Sequence, residues 1–205
     1  MKRYLVFLFL SFFLCCSGCE GFANRNISIS RKVLIVYDSR YGATQLTSKW
    51  IAEGIGDNVK VLHVESVKES DFKDVDFLLI GTPIFRGEIV TPDIAKFVKE
   101  KKEKLANIPI GLYVVCGTHL VWGNEYLTNF ENLIRTHIRQ AKIKVKKAFG
   151  GRILPEDLDD EDREKMDDYW KSRGLNAIKK EDFLDKKACI EFGREVKKMI
   201  LEGKI

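Results

Sequence analysis

The chain has 205 residues, of which 45% are hydrophobic and 32% are charged, and its formal net charge at pH 7 is +5. This length and apolar share suit one folded domain with a sizeable core, and no internal repeat indicates a second domain. The charged runs (basic at 96–104 and 142–147, acidic at 156–168) are typical of solvated faces, which argues against a nucleic-acid partner. The cysteine and histidine spacings form no metal motif, which argues against a metal site.

Residues 1–19 have the pattern of an export signal. The basic pair Lys2 and Arg3 precedes an apolar run over 4–16, and small residues precede Cys19. The apolar run is shorter than the roughly 20 residues that a membrane-spanning helix needs. The Ser-Gly-Cys sequence that ends at Cys19 resembles a lipobox, in which the cysteine takes a lipid. We therefore expect a lipoprotein signal with lipidation at Cys19, and an uncleaved signal anchor is the alternative.

Either N-terminal arrangement predicts a membrane-associated protein. Residues 20–31 are mostly polar and contain glycine, as expected for a tether, and they leave 32–205 as the folded domain. A lipidated chain would lie on the outer face of the cytoplasmic membrane. An uncleaved N-terminal anchor would instead leave the domain in the cytoplasm.

From residue 32 onward, apolar strand patterns alternate with amphipathic helix patterns. Near-continuous apolar runs, such as 77–80, indicate strands that are covered on both faces. The predicted strands are 32–37, 59–64, 76–81, 110–116 and 143–149, and the predicted helices are 43–55, 92–105, 125–140 and 185–201. Right-handed crossovers place helices on both faces of such a sheet. The predicted fold class is therefore α/β, a doubly wound five-stranded parallel sheet with the strand order 2-1-3-4-5.

The loop after the first strand is the most informative segment of the chain. The strand ends at residue 37, and a helix pattern begins at Ala43. Backbone N–H groups and the helix dipole make such a turn an anion site, to which Ser39 and Thr44 add hydroxyl groups and Gly42 adds close backbone approach. Neither a Walker motif nor a three-glycine dinucleotide fingerprint is present. A phosphate is the expected ligand, and an ordinary strand-to-helix turn is the alternative.

The loops after the third and fourth strands have features that match this interpretation. Ligands of a sheet with this strand order bind beyond the carboxyl ends of the first and third strands, so these two loops would flank the phosphate loop. Each loop begins with small residues and then offers an aromatic ring, Phe85 in one and Trp122 in the other. A flat ligand ring would stack between such side chains. Core packing is the alternative role for both rings.

The aromatic residue and the Ser-x-x-Gly-x-Thr sequence at the end of the first strand resemble the phosphate loop of the flavodoxin family, and the resemblance runs from residue 32 to about 200. It implies a flavodoxin-like fold with non-covalently bound FMN, which carries the redox chemistry. The matching positions are Ser39, Arg40, Tyr41, Gly42, Ala43 and Thr44 at the phosphate, Thr82, Pro83, Phe85, Arg86 and Gly87 on one side of the ring, and Cys116, Gly117, Thr118, Trp122 and Gly123 on the other. None is expected to act as an acid, a base or a nucleophile.

A narrower resemblance comes from residues 80–87 and from the insertion at about 154–182. Both are similar to the flavodoxin-domain group that contains the bacterial menaquinone-linked protoporphyrinogen oxidase. One function that follows is a membrane-tethered electron carrier, whose partner is a redox protein or a membrane quinone. The second is a flavin oxidoreductase acting on a porphyrin or quinone beneath the insertion, and the third is an FMN-free binding module. We prefer the carrier, because the insertion here is acidic where that of the oxidase is basic and aromatic.

Overall fold

Five parallel strands form the central sheet of the computed structural model, which describes residues 31–85, 90–172, 174 and 180–205. The strands are β1 (Lys32–Tyr37), β2 (Val59–His63), β3 (Val75–Pro83), β4 (Ile110–Cys116) and β5 (Ile143–Gly150). Their order is β2-β1-β3-β4-β5, and every neighbouring pair is parallel. The predicted fold class and strand order are confirmed.

Helices cover both faces of this sheet, because the side chains of each strand alternate between two cores. The helices are α1 (Ala43–Ile55), α2 (Pro92–Glu100), α3 (Lys102–Leu105), α4 (His119–His137), α5 (Asp160–Ser172) and α6 (Lys186–Leu201). Leu34 and Leu78 pack in one core with α2 and α4. Ile35 and Leu79 pack in the other core with α1 and α6. Burial on both faces explains the near-continuous apolar runs in the sequence.

Helices α1 and α6 lie in backbone contact. A methyl group at Gly54 of α1 would lie 2.2 Å from the carbonyl oxygen of Ile190, and one at Gly193 of α6 would lie 2.2 Å from the carbonyl oxygen of Ile51. Only glycine at both positions permits this approach. The contact fixes α1 against the sheet and so positions the loop that precedes it.

The structure reproduces most of the predicted boundaries, but α4 begins earlier than predicted, and this changes the setting of two predicted site residues. The bounds of β1, β4 and α1 are as predicted, and the predicted helix 92–105 is divided into α2 and α3. Helix α4 begins at His119 rather than at 125, so Trp122 and Gly123 lie in a helix and not in a loop. Gly123 lies inside the helix and lets it pack closely against β5, because a methyl group at this position would lie 2.6 Å from the Cβ of Ala148.

The insertion between β5 and α6 folds against the carboxyl edge of the sheet. It contains α5 and a two-stranded antiparallel pair, β6 (Arg152–Ile153) and β7 (Glu181–Asp182). The Gly151 N–H donates to the carbonyl oxygen of Cys116 at the end of β4, and the Phe183 N–H donates to the carbonyl oxygen of Gly151, both at 2.9 Å. The predicted signal, Cys19 and all of the tether before residue 31 lie outside the described residues.

Candidate functional site

A pocket of about 780 Å³ lies beyond the carboxyl ends of β1, β3 and β4. Its walls come from the three loops that follow these strands, and its fourth side comes from the insertion. The volume is within the range of small-molecule and cofactor sites. The structure therefore brings the three loops together at the predicted edge of the sheet.

The loop between β1 and α1 presents the N-terminus of α1 to this pocket. Gly42 is the residue before α1 and has a φ of 80°, a left-handed conformation that favours glycine, and it has no side chain with which to cap the helix. The Ser39 hydroxyl accepts the Gln45 N–H at 3.3 Å, while Thr44 lines the pocket. The Thr44 hydroxyl is buried and has no hydrogen-bond partner among the described residues. An unpaired hydroxyl beside a helix N-terminus suits an anion.

The side chains of Arg40 and Tyr41 also line the pocket, but their polar atoms bind the insertion. Arg40 pairs through Nε with Asp162 at 2.5 Å and through Nη2 with Asp159 at 2.8 Å. The Tyr41 hydroxyl donates to the same carboxylate of Asp162. The Arg40 Nε–H also donates to the Tyr41 hydroxyl at 3.3 Å, and this bond first, then the one to Asp159, raises the pKa of Arg40. The loop thus offers the pocket mainly its backbone and the side chains of Ser39, Ala43 and Thr44.

The loop after β3 contributes Pro83 and Phe85 to the pocket wall. Thr82 does not line the pocket; it is buried in β3, where its hydroxyl donates to the Pro83 carbonyl at 3.2 Å and accepts the Thr91 N–H at 3.3 Å. Its role in the structure is to join β3 to the start of α2. Arg86 and Gly87 lie outside the described residues.

The segment after β4 forms the opposite wall. Cys116, Gly117, Thr118 and Trp122 line the pocket, whereas the buried Gly123 contacts β5 instead. Trp122 is 48% exposed, so its ring lies at the rim. Burial raises the pKa of the Cys116 thiol to about 11, which leaves it protonated and a poor nucleophile at neutral pH.

The insertion supplies the roof, a feature that the sequence predicts only for the oxidoreductase alternative. Met166, Tyr169 and Trp170 of α5 line the pocket together with Arg152 and Phe183. Trp170 is 9% exposed, and its indole N–H has no hydrogen-bond partner among the described residues. The available signal was the aromatic pair at 169–170, which is unusual in so charged a segment.

Comparisons with known proteins agree with this geometry. Residues 34–176 match the family model described as a flavodoxin domain. The chain belongs to the flavodoxin domain family. Among solved structures, this flavodoxin domain is similar to two-electron reduced flavodoxin from Megasphaera elsdenii, with 19% identity and a TM-score of 0.53 over 81% of this chain and 98% of that one. It is also similar to oxidised flavodoxin 1 from Bacillus cereus, with 15% identity and a TM-score of 0.52 over 82% and 97% of the two chains.

A flavodoxin from the domain Archaea gives a comparable result, with 16% identity and a TM-score of 0.51 over 83% of this chain and 99% of that one. At these identities, the structural likeness concerns the fold alone. No curated protein matches the chain in a sequence comparison.

Family membership implies a flavin cofactor, typically FMN. The residues present fit such a group. The buried, unpaired Thr44 hydroxyl and the N-terminus of α1 suit a phosphate, and the space beside Gly42 is open for 4 Å around an added Cβ. The Phe85 and Trp122 side chains in opposite walls suit a flat ring.

Among the residues described, none of the helices combines the length and apolar character needed to cross a membrane. Within those residues, no three His, Cys, Asp or Glu side chains gather in an arrangement that would hold a metal ion.

Proposed function

We propose that this flavodoxin domain binds FMN non-covalently in the pocket and works as an electron-transfer flavoprotein. The observation that carries the proposal is the unpaired Thr44 hydroxyl, buried beside the N-terminus of α1 in a member of a flavin-binding family. A buried polar group without a partner is costly, so its presence at this place is explained by a ligand that completes it.

Different residues of the pocket bind different parts of the cofactor. The backbone of the loop at 39–44, together with the hydroxyls of Ser39 and Thr44, binds the phosphate. Phe85 and Trp122 flank the ring, and α5 excludes water from it. When bound, FMN supplies the redox chemistry, and the protein supplies binding and orientation. The protonated Cys116 thiol suits a carrier rather than a hydrolase.

The test is an FMN titration of the purified protein, followed by absorption and by flavin fluorescence. We expect shifted absorption bands, quenched flavin fluorescence and a lower FMN affinity when Gly42 is substituted. Gly42→Ala and Gly203→Ala are matched, because both glycines have positive φ angles, 80° and 68°, with open space around an added Cβ. Both variants should lose similar stability, and only Gly42→Ala should lose FMN affinity. If FMN leaves no spectral trace at micromolar protein, the FMN-free binding module replaces this proposal.

The helix that lies over the pocket favours a second candidate, a flavin oxidoreductase that acts on a porphyrin or quinone. A carrier exposes its flavin edge to a protein partner, whereas α5 here covers the pocket with Met166, Tyr169 and Trp170. Reoxidation of the dithionite-reduced protein by small acceptors separates the two candidates. Saturable oxidation by a quinone or porphyrinogen turnover would favour the enzyme, and rapid oxidation only by a partner protein would favour the carrier.

We also propose that the domain is tethered to the membrane through residues 1–19, with lipidation at Cys19, and that its partner is a redox protein or a membrane quinone. The support is the signal pattern of the sequence, together with the place where the domain begins. Lys32 starts β1 at the amino edge of the sheet, and the pocket lies at the carboxyl edge, so a tether leaves the pocket accessible. Incorporation of labelled palmitate into the protein, lost in Cys19→Ser, tests the lipid anchor.

A further inference from the structure

Asp162 is an acidic side chain that is fully buried in a helix otherwise rich in exposed charges. Its Oδ2 lies 2.5 Å from the Nε of Arg40 and also accepts the Tyr41 hydroxyl proton. Both partners come from the loop between β1 and α1, more than one hundred residues earlier in the chain. A carboxylate in such a place is stable only while its donors are held beside it, because burying an unpaired charge is very costly.

Further contacts connect Asp162 and Arg40 to the residues around them. Asp159, at the start of α5, accepts the Asp162 N–H at 2.7 Å and pairs with Arg40 at 2.8 Å. The Tyr41 ring lies edge-on to the Phe85 ring with 5.7 Å between their centroids, and the Arg40 guanidinium lies 5.8 Å from the Phe85 centroid. Two walls of the pocket are thus joined to the helix that roofs it.

The apolar part of α5 continues the same contact. Met166 and Trp170 of α5 form a buried cluster with Leu158, against which Tyr41 and Phe85 pack. Because this apolar cluster is small, the polar contacts of Asp162 contribute a large part of the free energy that holds α5 in place. Hydrogen bonds to a charged group are roughly twice as strong as neutral ones.

We propose that Asp162 is the positioning residue that latches helix α5 onto the phosphate loop, and that this latch retains the cofactor in the pocket. Through Arg40 and Tyr41 the carboxylate orders the loop, and through its own helix it closes the roof. The part of the proposal that concerns retention rests on the proposed function, namely FMN binding at this loop. The part that concerns the seating of α5 is independent of any ligand.

The experiment compares Asp162→Asn with Asp168→Asn in the full-length protein. Both changes remove one negative charge from α5, but Asp168 is exposed. Hydrogen exchange of the peptides covering 39–45 and 160–172, measured without FMN, reports the latch. The FMN dissociation rate, followed by recovery of flavin fluorescence, reports retention.

For Asp162→Asn we expect exchange in both peptides to accelerate on the order of 10- to 100-fold, the range that follows from losing a charge-assisted hydrogen bond. FMN should dissociate about 10-fold faster or more. Asp168→Asn should leave both readouts at the wild-type values. In Arg40→Gln, the added effect of Asp162→Asn should be much smaller than in the wild type, because the pair has already been broken.

Three results overturn the proposal or part of it. Unchanged exchange in Asp162→Asn overturns the latch, and faster exchange with an unchanged FMN dissociation rate overturns its role in retention. Failure of the wild-type protein to bind FMN overturns the proposed function, while the exchange comparison still decides whether the latch exists. If Asp162→Asn does not fold, Arg40→Gln and Tyr41→Phe test the same contacts from the loop side, where Arg40 is 47% exposed.

Discussion

The Thr44→Val substitution is expected to change stability and cofactor affinity in opposite directions. Thr44 is fully buried, and its hydroxyl has no partner among the described residues. Valine has nearly the same shape but lacks the hydroxyl. Without FMN, the substitution removes an unsatisfied buried polar group and should stabilise the protein. With FMN, it removes a hydrogen bond to the phosphate and should weaken binding.

The two magnitudes follow from the same group. Leaving a buried hydroxyl unsatisfied costs about 1–3 kcal/mol, so the free energy of unfolding of the FMN-free protein should rise by about 1 kcal/mol or more. In a domain of this size, 1 kcal/mol corresponds to about 2–4 °C in Tm. A hydrogen bond to a charged phosphate contributes about 1.5–3 kcal/mol, so the Kd for FMN should rise by about 10- to 100-fold.

The assay combines thermal unfolding without ligand and titrations with FMN and with riboflavin, which lacks the phosphate. Thr47→Val is the matched control, since Thr47 is equally buried one turn along α1 and its hydroxyl likewise has no hydrogen-bond partner among the described residues, but it does not line the pocket. The control should leave the Kd for FMN unchanged. The reasoning is refuted if Thr44→Val lowers the Tm of the FMN-free protein, or if it weakens riboflavin and FMN binding equally.

Other predictions concern the stability of the domain. Gly54→Ala places a methyl group 2.2 Å from a backbone carbonyl oxygen of α6 and should cost about 3 kcal/mol or more in denaturant unfolding; a loss under about 1 kcal/mol would contradict the contact. Tyr113→Phe removes the buried 2.6 Å hydrogen bond to Ser48 and should cost about 1 kcal/mol, with no loss expected at an exposed tyrosine. Burial raises the thiol pKa values of Cys116 and Cys189 from 9.0 to about 11 and about 12. Above pH 9 the thiols ionise in the unfolded chain but stay protonated in the folded one, which favours unfolding. Unfolding titrations should therefore show the free energy of unfolding falling as the pH rises above 9.

Local sequence was sufficient to predict the elements of the central sheet and the loop after β1. Strand β1 and helix α1 have the predicted bounds, because an apolar run, a turn with Gly42 and an amphipathic pattern follow each other within 24 residues, 32–55. The strand order 2-1-3-4-5 was expected because it is a common order of doubly wound sheets, and the handedness of the crossovers predicted helices on both faces. That order places the end of β4, and with it Cys116, at the edge of the sheet where the pocket lies.

Tertiary structure alone decided which predicted residues face the pocket. Gly123 was predicted to line the cofactor site, but it allows α4 to pack on β5, a contact that depends on Ala148, 25 positions later. Thr82 likewise bonds to the start of α2 instead of lining the pocket.

The insertion shows the same limit most clearly. The sequence determined that the segment at 156–168 is acidic, and an acidic run is ordinarily a solvated face. Only the folded chain shows that one of these carboxylates, that of Asp162, is buried against Arg40 and Tyr41. The physical reason is that the energy of a buried charge depends on its partners in space, and in this protein those partners lie more than one hundred residues away in the chain.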